Sequence, residues 1–135
     1  MWINQNPDDS YWLKISEVGP DHRLAENFQL WEARCKDWSD EVLIHPSAVD
    51  LAQYLRDRFG PIRISSWYRT VEHNRLIGGT QNSKHLLGMA FDWYPLKADL
   101  EEVQRIVKRL PIGGVGIYEG FTHTDVWGQG RRWHG

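Results

Sequence analysis

One cysteine, Cys35, stands among the 135 residues, so no disulfide can form within the chain. Its expected role is a buried thiol, because nothing near it in sequence supports a Cys/His nucleophile pair. Long apolar runs are missing too. No stretch could span a bilayer, and Met1 to Asp9 is polar and acidic where a secretory leader would be apolar. The expectation is a protein made in the cytoplasm or delivered outside by another route, with no membrane partner. Charge of one sign is scarce. The net charge is −2, and the only dense basic spot near the end is Arg131-Arg132. That is not the electrostatic footprint of a nucleic-acid binder. Internal repeats and low-complexity linkers are also absent.

What is present suits one globular domain, expected to be a monomer. Hydrophobic residues make up 41% and charged residues 25%. A chain of this size buries roughly two-thirds of its unfolded surface and folds without staples. Eight Trp, five Tyr and four Phe are enough to fill a small core and line its rim, with some left to border a groove.

Residues 1–30 read as loop-rich, with a turn at Gly19-Pro20-Asp21. Leu30 to Cys35 fits one or two helical turns. A clearer helix runs from Pro46-Ser47 to about Arg58, stopped by Gly60-Pro61. Ile62, Ile64 and Ser66 alternate with polar residues as in a strand, and Val71 to Leu76 fits a short helix. Gln81 to Lys84 reads as loop, Gly88 as a bend and Met89 to Tyr94 as a buried strand. Ala98 to Leu110 is the strongest helix, with Leu100, Val103, Ile106, Val107 and Leu110 as its apolar stripe. Gly113–Tyr118 and Phe121–Trp127 form two short strands joined at Glu119-Gly120. This mixture lacks regular βαβ alternation and predicts an α+β domain.

Three histidines carry chemical interest: His73, His85 and His123. Seven residues separate His85 from Asp92, and Gly88 lets the chain bend between them. Asp92 lies between Phe91 and Trp93, where an ionised carboxylate needs a positive partner. A metal ion would serve, and so would an arginine or backbone amides. His123 stands two residues before Asp125, on the same strand face. The pair is either a plain hydrogen-bonded couple or part of a metal site. Two imidazoles and one carboxylate leave a zinc ion open to water. Non-haem iron uses the same set.

The motifs around these residues resemble a known family. Ser66-Trp67-Tyr68-Arg69-Thr70, His73-Asn74, Ile77-Gly78-Gly79 and Asn82 through Asp92 are similar to the M15-type zinc D-Ala-D-Ala peptidases, in their short branch of phage lysins and murein endopeptidases. Gly113 to Tyr118 and Phe121-Thr122-His123-Thr124-Asp125 match that branch's closing motif. The resemblance covers about residues 27–133 and implies a small single-domain α+β fold of the hedgehog/DD-peptidase type, with a mainly antiparallel central sheet packed with helices. It divides the chain into a loop-rich segment, 1–26, and a peptidase domain, 27–135.

The resemblance also implies roles. His85, Asp92 and His123 match the family's zinc ligands. Arg69 matches an arginine that binds the substrate's carboxylate or steadies the oxyanion. Ser83 matches a serine near the substrate, and reads equally as a turn residue. Larger members place an acidic general base three residues before the last ligand, where this chain has Gly120. Asp125 is the first replacement, with a partner role to a ligand imidazole as its alternative. Glu119 ranks second, and His73 is more remote. Trp127, Arg131, Arg132, Trp133 and His134 either edge the groove or belong to a frayed terminus.

The activity implied is zinc-dependent hydrolysis of amide bonds in peptidoglycan stem peptides or cross-bridges, as a D,D-carboxypeptidase or endolysin-like endopeptidase. The alternative is a zinc-containing, non-catalytic cell-wall module, since fold does not fix function. Such an enzyme would act at the wall after phage-type release, or as part of a virion.

Overall fold

A five-stranded sheet lies at the centre of the fold, with mainly apolar side chains on one face and the chemistry-bearing ones on the other. The computed structural model describes residues 2–135. Among these are nine strands, five α-helices and two 3-10 turns, in an α+β arrangement. The N-terminal part holds β1 (Tyr11–Lys14), α1 (Ile15–Val18), β2 (Arg23–Ala25), β3 (Phe28–Gln29) and α2 (Leu30–Ala33). Next come β4 (Glu41–Ile44), α3 (Pro46–Phe59), β5 (Ile62–Ser66) and α4 (Val71–Leu76). The remainder is β6 (Ala90–Pro95), α5 (Leu100–Val107), β7 (Gly114–Tyr118), β8 (Phe121–Asp125) and β9 (Arg131–His134).

The central sheet runs β5-β6-β8-β7-β9, antiparallel except for the parallel β7–β9 pair. Directly paired residues share a face. Ile64 pairs with Trp93, and Phe91 with Thr124, on the core side. Asp92 pairs with His123, and His123 with Gly116, on the other. The expected alternation through Ile62, Ile64 and Ser66 is broken by a register shift after Ile64. That shift lays Ser66 beside Asp92 instead of over the core.

The helix α3 follows its expected limits closely. Pro46 opens it, and the His45 ring accepts the Ser47 amide as its N-cap. Ala48, Leu51, Ala52 and Leu55 are fully buried, and Phe59 stacks on Trp93. α5 is shorter than expected, because Asp99 caps it by accepting the Glu102 amide and tighter turns take over after Val107. The first thirty residues hold more structure than a loop-rich reading implies. β1 pairs along its whole length with β4, and β2 pairs with β3. Asn4 and Gln5 donate to the carbonyls of Gly128 and Val126, and Ser10 donates to that of Leu87.

Gly88 ends the 3-10 turn Lys84–Leu87 in the left-handed region, at φ 71°. A Cβ there would lie 2.3 Å from the Leu43 carbonyl oxygen. Both conditions admit glycine alone. Gly88→Ala is therefore expected to cost more than about 1 kcal/mol, read as a lower urea midpoint at unchanged slope. An unaltered midpoint would show that β4 can yield.

Candidate metal centre

Three segments bring the expected ligands together. The turn Lys84–Leu87 carries His85, with the Ser83 hydroxyl as its cap accepting the His85 amide. β6 carries Asp92 and β8 carries His123. Asp92 Oδ1 lies 3.2 Å from His85 Nε2 and 3.1 Å from His123 Nδ1. One ligand atom from each of the three residues falls within 4.8 Å of the others. His85 and Asp92 are buried, and the His123 side chain is 13% exposed.

Each imidazole is held through its other nitrogen. His85 Nδ1 is 2.6 Å from the Trp67 carbonyl, an acceptor, so that nitrogen carries the proton and Nε2 presents a lone pair. His123 Nε2 is 2.8 Å from Asp125 Oδ2, which leaves its Nδ1 lone pair toward Asp92. Two imidazole lone pairs and a carboxylate oxygen thus converge with no donor of their own among them. That set repels itself unless a cation lies there, and it fits a divalent metal ion.

The charges agree. Burial opposes ionisation of Asp92, but the His123 and His85 hydrogen bonds and charges outweigh it, holding its carboxyl well below the usual range. Burial lowers the pKa of His85, with Asp92 opposing. Burial also disfavours charge on His123, yet Asp125 and Asp92 outweigh it and raise the pKa above the ordinary 6.5. A proton on His123 is therefore the natural competitor of a metal.

Arg69 completes the carboxylate's surroundings. Its Nη2 donates to Asp92 Oδ2 at 3.1 Å, Nε to Ser66 Oγ at 3.0 Å and Nη1 to Asn74 Oδ1 at 3.2 Å. Both partners weighed for Asp92, an arginine and a cation site, are thus met by different oxygens. Asn74 is buried and donates in turn to the Thr80 carbonyl.

Asp125 is fully buried, and both its oxygens are engaged. Oδ2 faces His123, while Oδ1 accepts from Gly114 N, Trp127 N and Arg131 Nη2 at 2.9, 3.1 and 2.6 Å. With both oxygens engaged, its position fits the partner role to a ligand imidazole that was weighed beside that of general base. Glu119 is exposed at the β7–β8 turn, outside the pocket wall. His73 sits on α4, also outside that wall. Cys35 is buried beneath Thr70, whose amide it accepts.

The ligands open onto a pocket of about 420 Å³, walled in part by Arg69, Ser83, Lys84, Tyr118, Arg131 and Trp133. The terminal segment is the strand β9, not a frayed end. Parallel pairing sets Arg131 beside Gly114 and Trp133 beside Gly116. A Cβ at Gly114 would strike Asp125 Oδ2 and Arg131 Nη2 at 2.4 and 2.6 Å, and one at Gly116 would meet the Trp133 indole at 2.5 Å. The two glycines keep β7 bare so that these side chains can lie across it. Trp133 approaches the His123 ring, with centroids 5.1 Å apart. Arg132 turns away to the carbonyls of Lys108, Leu110 and Gly113. Trp127 carries the Lys84 ammonium 3.8 Å above its ring, and His134 is exposed. Trp133 thus edges the groove, one of the two roles its sequence position allowed, whereas Tyr118 and Asn74 carried no separate chemical signal. The bare Gly-x-Gly facing His-x-Asp was the available signal for Trp133.

Calorimetric titration with zinc is expected to give one ion per chain, and His85→Ala to abolish binding. Affinity should fall with falling pH, starting above 6.5, because the metal needs His123 neutral and the protonated form gains as pH drops through its raised pKa. Asp125→Ala should weaken binding about 10- to 100-fold; unchanged affinity in that variant would remove Asp125 from the support of His123.

No curated protein matches the chain. A family model described as Peptidase M15 matches residues 24–126, a span that includes all three converging ligands. The chain belongs to the peptidase M15 family.

Proposed function

We propose that the chain is a zinc-dependent peptidase that hydrolyses amide bonds in peptidoglycan stem peptides or cross-bridges, as a D,D-carboxypeptidase or an endolysin-like endopeptidase. The observation that carries this reading is the convergence of His85 Nε2, Asp92 Oδ1 and His123 Nδ1 at the floor of an open pocket. Family membership supplies the reaction class.

His85, Asp92 and His123 would hold the zinc. Bound there, zinc supplies Lewis-acid polarisation of the scissile carbonyl and acidification of an attacking water. The chain's own residues set the geometry. Trp67 and Asp125 fix which imidazole nitrogens carry protons, and Arg131 fixes Asp125. Arg69 uses three of its five N–H groups on Ser66, Asn74 and Asp92, and the remainder suit a substrate carboxylate. Ser83 caps the His85 turn and also lines the pocket, so its two readings are compatible.

One observation favours a second reading, a zinc-containing cell-wall module without catalysis. The two carboxylates in the pocket wall, Asp92 and Asp125, are both committed inside the protein. Muropeptides incubated with zinc-loaded protein and analysed by mass spectrometry separate the two. Cleavage is expected with the wild type and none with His85→Ala. Sacculus binding with identical digests from both proteins would favour the non-catalytic module.

A further inference from the structure

We propose that Tyr118 is a catalytic residue whose phenolic O–H donates a hydrogen bond to the scissile carbonyl oxygen as negative charge develops on it. The inference rests on the peptidase reading above and assigns a role that the metal ligands and Arg69 leave open.

Tyr118 lies on the chemical face of the sheet. It ends β7 on the face that carries Gly114 and Gly116, opposite Phe121, and it shares the pocket wall with His85, Asp92 and His123. Its hydroxyl is oriented from one side. Trp133 Nε1 donates to Tyr118 Oη at 2.9 Å, which occupies one lone pair. The same indole packs beside His123, so the hydroxyl and the ligand imidazole share a neighbour. An indole N–H is a donor only. The phenolic proton must therefore point elsewhere, and no protein acceptor takes it among the described residues.

The phenol is also held by packing and by its backbone. Its ring stacks flat on Phe121, with centroids 4.6 Å apart and planes 5° apart. Gln104 of α5 donates to the carbonyls of both Tyr118 and Phe121, clamping the two ends of the β7–β8 turn. Ring, backbone and hydroxyl are thus fixed by three separate contacts. A donor held this way, beside a pocket and with its proton unspent, meets the requirement for oxyanion stabilisation: little reorganisation at the moment charge appears. No proton changes owner in this step; the O–H donates a hydrogen bond that is stronger to the oxyanion than to the neutral carbonyl.

The test is Tyr118→Phe, which keeps the Phe121 stack and removes only the hydroxyl. It is measured on a muropeptide that the zinc-loaded wild type cleaves, alongside zinc calorimetry of both proteins. The expected result is a kcat lower by about 10²- to 10³-fold, with KM within about twofold and zinc affinity unchanged. Trp133→Phe should lower kcat by a smaller factor, since it frees the hydroxyl without deleting it. A Tyr118→Phe enzyme with wild-type kcat overturns the proposal while leaving the peptidase intact. So does a loss confined to KM, or one accompanied by weaker zinc binding. A wild type that cleaves no muropeptide overturns both this inference and the reading beneath it.

Discussion

The rest of the site is arranged around one buried carboxylate, Asp92. It sits on the second strand of the sheet, between Phe91 and Trp93, whose side chains belong to the core. An ion in such a place is costly unless its partners are excellent. Here they come from every direction the fold allows. The bulged β5 and the turn after it supply Arg69 to one oxygen. The turn before β6 and the neighbouring β8 supply His85 and His123 to the other. Three separate features meet at Asp92: the register shift that sets Ser66 beside it, the Gly88 turn that returns the chain from His85, and the pairing that sets His123 opposite.

The second layer of contacts follows the same logic. An imidazole can ligate through either nitrogen, and the choice is set by what the other nitrogen meets. For His85 that partner is a main-chain carbonyl, which does not ionise. For His123 it is Asp125, and Asp125 in turn needs Gly114 N, Trp127 N and Arg131. Arg131 lies beyond the span matched by the family model, yet it secures an Asp within it. The bare strand face at Gly114 and Gly116 makes this possible, because any side chain there would separate β9 from Asp125 and His123.

The parts of this arrangement that were legible in the sequence are those with local signals. Helix α3 announced itself through Pro46, its apolar spacing and Gly60. The ligand set was legible through the resemblance carried by Ser66 to Thr70, Asn82 to Asp92 and Phe121 to Asp125; the spacing of His85, Asp92 and His123 alone left plain hydrogen-bonded readings open. What was not legible depended on pairing between distant segments. β1 has meaning only against β4, and β9 only against β7. The choice between the two roles weighed for Asp125 was open for the same reason. Strand periodicity places its side chain on the face of His123, but it cannot reveal that Gly114, Trp127 and Arg131 already saturate it. Tyr118 was passed over because its hydroxyl is oriented by Trp133, fifteen residues later in a strand that was not foreseen.

The convergence that recommends a metal also ties metal binding to protonation. Without a cation, three lone pairs would face one another inside a largely buried site. His123 is the one member able to relieve this by taking a proton, since it lies between two carboxylates and its pKa is raised. His85 is pushed the other way by burial. A protonated His123 would donate to Asp92 and Asp125 together, and those two carboxylates are what raise its pKa. A metal ion held by His85, Asp92 and His123 would compete with a proton for His123 Nδ1, while Asp125 would still accept from Nε2. Asp125 Oδ2 can accept from His123 Nε2 whether Nδ1 carries a proton or faces a cation, so one carboxylate orients the imidazole in either case.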